Sequence, residues 1–168
     1  MQRIMIISDT HRKLGNLMSA LSKEGDIDML IHLGDFEGDE EAIEGMADCP
    51  VYFVPGNCDF GSRLPREQEL DIAGRKVLIT HGHNYYVSLD LATIKKEGIA
   101  RGFDIVMFGH THRPVIDIGD EITLINPGSL SFPRQSGFIC TYIIMEIDDN
   151  NEVHYTLKEE AELNMSGL

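Results

Sequence analysis

Seven side chains able to bind metal stand at five places along the chain. They are Asp9 and His11 in Asp9-Thr10-His11, Asp35 after Gly34, Asn57 after Gly56, His81 in Thr80-His81-Gly82-His83, and His110 and His112 in Gly109-His110-Thr111-His112. Each sits where an apolar stretch runs out into a turn. Two carboxylates, one amide and four imidazoles, with no thiolate, suit Mn²⁺, Fe²⁺, Zn²⁺, Co²⁺ or Ni²⁺ better than a soft metal. Seven such donors are enough for two ions. Paired divalent ions roughly 3.5–4 Å apart acidify a water, orient it, and stabilise entering and leaving oxygens in displacement at phosphorus. The series points to hydrolysis of a phosphate ester.

The elements that must carry these residues follow from apolar patterning. Residues 3–8 form a short apolar run, as expected of a strand buried on both faces. Leu14, Leu17, Met18 and Leu21 have helical spacing, with Gly25 as the stop. A second strand covers 29–33, an acidic helix 39–48, and a third strand 51–54, giving a β-α-β-α-β opening and hence a parallel sheet. Functional residues of such sheets lie at the carboxyl ends of the strands. The second half reads as a hairpin around Ala73-Gly74-Arg75, a helix from Ser88 as N-cap to Glu97 with Gly98 past its end, and a strand over 104–108. Two further pairs follow, 115–118 with 122–125 and 138–147 with 153–158. The expected fold is α/β: two mixed β-sheets packed as a sandwich with helices outside, a single domain over 1–168, its tail 161–168 loosely held. Asp9 and His11, one residue apart in extended backbone, are expected to share a side; His110 and His112 repeat that spacing.

Composition limits the partners. The chain has 14 basic and 28 acidic residues, a net charge of −14. A surface that neutralises a phosphate backbone does not look like this, so extended nucleic acid is disfavoured as a partner. No stretch approaches the roughly 18 unbroken apolar residues of a membrane span, and the amino terminus is too quickly polar for a signal peptide. The expectation is a cytoplasmic protein with no membrane partner. Cys49, Cys58 and Cys140 are an odd number with no CxxC, so reduced thiols are expected.

Taken together and in order, DxH, GD, GN, HGH and GHTH resemble the calcineurin-like metallophosphoesterases. The short chain, Gly56-Asn57-Cys58-Asp59 and Asn126-Pro127-Gly128-Ser129 look like the small bacterial and archaeal phosphodiesterase branch of that family. The resemblance covers about residues 4–130. It implies that Asp9, His11 and His112 bind one metal, that Asn57, His81 and His110 bind the other, and that Asp35 bridges them. It also implies the family's β-sandwich, a bridging hydroxide as nucleophile, Mn²⁺ first among the metals (with Zn²⁺, Fe²⁺, Ni²⁺, Co²⁺ or Mg²⁺ as alternatives), and a small phosphodiester as substrate. Self-association into a homo-oligomer is left open. Two divalent ions less Asp9, Asp35 and hydroxide leave about one positive charge, enough to draw in a phosphodiester despite the acidic surface.

One position departs from the family. Gly-Asn-His-Asp is common there, its histidine a candidate general acid, whereas this chain has Cys58. A thiol is a weak proton donor to an alkoxide. Cys58 and His83 are therefore the candidate catalytic residues, with His83 or a bound water taking the donor's role and good leaving groups favoured. The plainer readings are a packing Cys58 and a loop-fixing His83. His32 reads as a satisfied core or supporting histidine, His154 as a surface residue, and the acidic run Glu37–Glu44 as a solvated helix face. Arg12 and Arg113, beside the metal motifs, are the candidates to clamp phosphate; Arg63 and Arg134 read as solvated. Phe60, Tyr85 and Tyr86 could stack an aryl group or simply pack. The rival function is a protein-interaction scaffold, a use of this fold in the endosomal retromer coat where some ligand positions are replaced; no ligand position is vacant here. A nucleotide-binding module is weakened by the lack of any glycine-rich phosphate loop.

Overall fold

The protein is described by a computed structural model over residues 1–161. Residues 162–168, most of the tail expected to be loosely held, lie outside the described residues. The strands are β1 (Gln2–Ile7), β2 (Met29–His32), β3 (Val51–Phe53), β4 (Glu67–Ile72), β5 (Arg75–Thr80), β6 (Ile105–Met107), β7 (Pro114–Ile118), β8 (Thr123–Pro127), β9 (Cys140–Ile147) and β10 (Val153–Glu160). The helices are α1 (Gly15–Glu24), α2 (Glu40–Met46) and α3 (Ala92–Ala100), and a 3₁₀ turn spans His83–Tyr85.

Two five-stranded mixed sheets form, in the order β10-β9-β1-β2-β3 and β4-β5-β6-β8-β7. Strands β1, β2 and β3 are parallel, as are β5, β6 and β8. The hairpins expected at 69–80, 115–125 and 138–158 all pair antiparallel. The second sheet is more parallel than the hairpin signals suggested, because β6 pairs with β8 and leaves β7 on the edge.

Strand alternation explains the layers. Ile4 and Ile6 of β1 join Ile79, Met107 and Ile125 in the core between the sheets. Met5 and Ile7, on the opposite face, pack under Leu17 and Ala20 of α1 and Ile43 of α2. Leu78, Val106 and Leu124 do the same beneath Ile94 of α3. At about 25 cal/mol per Å² of apolar surface, three contiguous clusters are the main source of stability. They also fix where the strands end.

Helix α3 corrects the expectation for 88–97. It begins three residues later, with Leu91 rather than Ser88 at its N-cap and the Ala92 amide donating to Asp90 Oδ1 at 2.9 Å, and it runs through Gly98. Gly98 is no terminator: a Cβ there would lie 2.6 Å from Ile122 Cδ1 and 2.8 Å from Val106 Cγ2. The residue is glycine so that the helix can sit close on the sheet. Among the described residues no helix is long and apolar enough to cross a membrane.

Candidate metal centre

The seven singled-out side chains follow β1 (Asp9, His11), β2 (Asp35), β3 (Asn57), β5 (His81) and β6 (His110, His112). These are carboxyl ends of parallel strands from both sheets, and they meet in one place. The mechanism of convergence differs from the expected extended backbone. Asp9 (φ 53°), His11 (45°), Asp35 (60°), His110 (69°) and His112 (56°) all occupy the left-handed region. Such residues cost about 1–2 kcal/mol each. The turns hold because they are laced together: the Asp9 amide donates to Gly34 O and the His11 amide to Asp35 O, both at 2.9 Å. The side chains are aimed by strained turns, not by the pleat.

Glycines let these turns touch. A Cβ at Gly56 would overlap Asp35 Oδ1, and one at Gly109 would overlap Ser8 Oγ. Both positions precede a predicted ligand, and both need the space rather than the conformational freedom.

Imidazole tautomers follow from the outward-facing nitrogens. His81 Nδ1 donates to Leu33 O at 2.6 Å and His112 Nδ1 to Phe132 O at 2.7 Å, and His11 Nδ1 donates to Glu37 Oε2 at 3.1 Å. In the neutral rings each Nε2 then carries a lone pair. Those lone pairs face acceptors. His112 Nε2 lies 3.2 Å from Asp9 Oδ1 and 3.2 Å from His11 Nε2, while His81 Nε2 lies 3.4 Å from Asp35 Oδ2 and 3.0 Å from Asn57 Oδ1. His110 Nδ1 is 2.9 Å from the same Asn57 oxygen. Asp9 Oδ1 is buried and accepts no hydrogen bond. A pocket of acceptors facing one another is repulsive unless imidazole protons or a cation occupy it, and donors of these types fit divalent metal. Asp9, His11, Asp35 and His112 form a candidate metal-binding cluster in which one donor atom from each lies within 4.8 Å of the others.

The electrostatics call for positive charge between these groups, which protonated imidazoles can also supply. Burial pushes the Asp9 and Asp35 carboxyls up, but neighbouring histidines, His112 and His81 for Asp9 and His81 for Asp35, more than reverse it, so both stay ionised well below the usual range. Burial pulls His81 down, yet Asp35 and Asp9 overcome it and raise that imidazole. His110 and His83 are lowered, by burial and then by His81.

Further residues support the cluster, and Asp59 and Ser8 among them carried no sequence signal of their own. Asp59, the last residue of Gly-Asn-Cys-Asp, accepts the amides of Asp35 (2.7 Å), Gly56 (2.7 Å) and Glu37 (2.6 Å). Glu37, expected on a solvated helix face, precedes α2 and orients His11. Ser8 donates to Asp9 Oδ2 at 2.6 Å. The Asn-Pro-Gly-Ser turn braces the site: Asn126 Nδ2 donates to Gly109 O at 3.0 Å, and the Ser129 and Ser131 hydroxyls donate to Asp9 O at 2.7 and 2.8 Å. His32 is a satisfied core histidine. It accepts from the Gly34 amide at 3.1 Å and donates to Thr10 Oγ1 at 2.9 Å, and burial drives its pKa down to about 3, keeping it neutral.

A cleft of about 670 Å³ opens over the cluster, lined by His11, Asn57, Cys58, Phe132, Arg134 and Phe138 among others. Burial, then Asp35, pushes the Cys58 thiol up to about 11, so it is neutral and a poor acid. His83 lies beside His81 and His110, ring centroids 5.4 and 6.0 Å away. Arg134, read as solvated, lines the cleft, whereas Arg12 and Arg113 line neighbouring hollows. Tyr85 packs on Val106's cluster and donates its hydroxyl to Glu67, so it is a packing residue; Phe60 and Tyr86 stay exposed. His154 is a surface residue paired with Asp148 at 3.0 Å.

Known proteins resemble this chain in sequence and in fold. The family model for the calcineurin-like phosphoesterase superfamily domain matches residues 2–150. A probable metallophosphoesterase of Bacillus subtilis, YsnB, is 34% identical over 134 residues, covering 78% of this chain and 76% of its own. The phosphodiesterase MJ0936 of Methanocaldococcus jannaschii is 31% identical over 145 residues, 75% of this chain and 82% of its own. Among solved structures, wild-type Vps29 of Entamoeba histolytica complexed with zinc superimposes with a TM-score of 0.76 over 94% of this chain and 99% of its own, at 18% identity, a likeness of fold alone. The strand-end turns, their order along the chain and these matches agree: the chain belongs to the calcineurin-like phosphoesterase superfamily.

Proposed function

We propose that the protein is a binuclear metal-dependent phosphodiesterase acting on small phosphodiesters. Asp9, His11 and His112 would hold one ion, Asn57, His81 and His110 the other, and Asp35 would lie between. The supporting observation is the buried, unpartnered Asp9 Oδ1 facing imidazole lone pairs. Two divalent ions, Mn²⁺ first among them, would supply Lewis acidity and an acidified water at this position.

This chain's residues then have definite tasks. Asp9 and Asp35 provide negative charge that holds cations and offsets their combined charge. Leu33 O, Phe132 O and Glu37 hold the protons of three imidazoles on the outward nitrogens, keeping the inward ones available. Arg134, lining the cleft, offers charge to a phosphate oxygen. Cys58 replaces a histidine with a thiol too weakly acidic to protonate an alkoxide, which leaves His83 as the protein group nearest to that role and favours esters with good leaving groups.

The phosphodiesterase reading is further supported by a relative of that name. A protein-interaction scaffold is the alternative, favoured by the fold likeness to Vps29. Since that Vps29 is itself a zinc complex, metal uptake alone does not separate the two readings. The test is elemental analysis of metal-stripped protein reloaded with Mn²⁺, followed by hydrolysis of bis(p-nitrophenyl) phosphate. Two ions per chain with turnover is the expected result. Two ions without turnover would favour the scaffold, and no uptake would end the enzyme reading.

A further inference from the structure

We propose that residues 131–139 form a specificity wall for phosphate esters carrying a planar aromatic arm, with Phe138 as stacking platform and Arg134 as counter-charge. The inference rests on the phosphodiesterase reading and names the substrate class for the same site.

The wall begins at a candidate ligand. The Phe132 ring meets His11 edge-on, centroids 5.6 Å apart, and Lys13 Nζ covers it 4.2 Å from its centroid. The Arg134 amide donates to His112 O at 3.0 Å, which ties the segment's main chain to a second candidate ligand. Phe132, Pro133, Arg134 and Phe138 then line the cleft that holds the cluster. An ester arm leaving a phosphate at the cluster has this aromatic surface beside it.

Phe138 is the decisive residue. It is 74% exposed, yet its backbone sits at φ 49°, in the left-handed region that a bulky residue rarely enters. The turn is built to hold it there: the Phe138 amide donates to Gln135 O at 3.1 Å, and Gln135 Nε2 donates to Ile139 O at 2.5 Å. A single exposed phenyl ring means little. A phenyl ring held in solvent on a strained turn, lining the cleft of a charged site, is costly without a ligand to cover it. Strain of this kind concentrates at ligand clamps.

The charge pattern selects the ligand. The chain carries −14 overall, yet the Arg134 guanidinium has no ion-pair or hydrogen-bond partner among the described residues. An unpaired cation lining the same cleft as an aromatic platform matches a ligand that is anionic at one end and planar at the other. Stacking of such a ring on an aromatic side chain changes affinity by about tenfold or more; an alkyl arm of similar reach gains little of this.

The test compares phenyl phosphate with ethyl phosphate on Mn²⁺-loaded full-length protein, by calorimetric Kd and by competition against bis(p-nitrophenyl) phosphate turnover. Phenyl phosphate should bind about tenfold tighter. Phe138→Ala should abolish that preference, and Phe138→Trp should retain it. The same Phe138→Ala change should raise KM for the diaryl substrate, with the loss carried by KM. Arg134→Ala should weaken both phosphates alike. Turnover without phenyl selectivity, or selectivity untouched by Phe138→Ala, overturns the wall while leaving the phosphodiesterase intact. Selectivity in binding without turnover supports the wall and retires the enzyme reading. A Phe138→Ala variant that dissociates a dimer in sedimentation and keeps its phenyl preference assigns the ring to a contact between copies, which also overturns the proposal.

Discussion

Oδ1 of Asp9 and Nε2 of His112 lie 3.2 Å apart, yet the buried carboxylate oxygen accepts no hydrogen bond. His112 has its Nδ1 proton on Phe132 O, so in the neutral ring a lone pair faces that oxygen. Asp9→Asn should therefore separate stability from function. The metal-free variant should melt close to the metal-free wild type, because its amide oxygen keeps the donors Ser8 Oγ and His110 N while its N–H₂ can donate to His112 Nε2 in place of the carboxylate's pairing with that ring. Saturating Mn²⁺, at about 100 times the Kd of a site, should stabilise the wild type by about 2.7 kcal/mol for each ion bound, a rise of roughly 5–10 °C per ion for a chain of this size. The variant should lose most of that rise, and about 100-fold or more of diester hydrolysis. Calorimetry with and without Mn²⁺ decides it; an equal rise in both proteins removes Asp9 from the site.

Asp59 collects three backbone amides in one nearly buried carboxylate, and so sets Asp35 and Asn57 at a fixed separation. Asp59→Ala leaves those donors unsatisfied, at about 1–3 kcal/mol for each that water does not reach. The expected loss is about 3 kcal/mol overall, or roughly 6–12 °C in Tm, with metal affinity falling as well. Asp59→Asn keeps one acceptor oxygen and should fall between. A wild-type melting temperature for Asp59→Ala would show that the loops hold without it.

The fold was legible because its signals are local. Apolar runs at 3–8, 29–33 and 51–54 became β1, β2 and β3, and the Ala73-Gly74 turn became a hairpin. Helix α3 was misplaced because Gly98 carries the sequence signature of a stop, while its actual reason, a 2.6 Å approach to Ile122, is a long-range contact. The seven donors could be picked out because imidazoles and carboxylates at strand ends have few structural uses. The left-handed turns that aim them could not, since Asp9 and His11 look the same in either backbone. Glu37 and Asp59 escaped for another reason: acidic residues are abundant here, and only the partners 26 residues away at His11 and 24 away at Asp35 distinguish them.

Glu37 Oε2 holds the Nδ1 proton of His11, which fixes the ring's tautomer. Glu37→Gln keeps the size but can present its amide N–H₂ to that nitrogen, so the variant should bind Mn²⁺ about 10–100-fold more weakly. Glu37→Asp should recover part of the loss. Because the side chain is partly exposed, Tm of the metal-free protein should change little. Isothermal titration with Mn²⁺ checks the point, and unchanged affinity in Glu37→Gln would make the contact incidental.

Away from the candidate metal ligands, Glu24 fastens the end of α1 to the first sheet through Tyr142 (2.8 Å), Arg3 (2.7 Å) and Lys158 (3.5 Å). Burial pushes its carboxyl up, but the Tyr142 hydroxyl, Lys158 and Arg3 more than reverse this, so the folded value lies below the ordinary one. A depressed folded pKa means that the unfolded chain takes up the proton first. The stabilisation is thus full above the unfolded carboxyl value, about 4.3, and disappears as pH falls through the folded value. Glu24→Gln should be less stable than wild type at pH 7, and the difference should close below about pH 4. Urea melts across that range test it; a gap that stays constant with pH would assign the effect to packing.

Cys58 stands where the resemblance noted in the sequence would put a histidine, and its thiol, pushed up to about 11, stays protonated yet donates poorly. If leaving-group protonation limits turnover of alkyl esters, Cys58→His should raise kcat on methyl p-nitrophenyl phosphate only slightly, since nitrophenolate departs unaided. Diesters whose leaving group is an alcohol should gain about 100-fold or more, the ordinary size of a general-acid contribution. The gain should appear in kcat, because the imidazole acts as bonds break rather than as the ester binds. His83→Ala should remove little of the gain if the new imidazole is the donor, and most of it if His83 relays the proton. An equal response across all leaving groups would mean that position 58 shapes the cleft and transfers no proton.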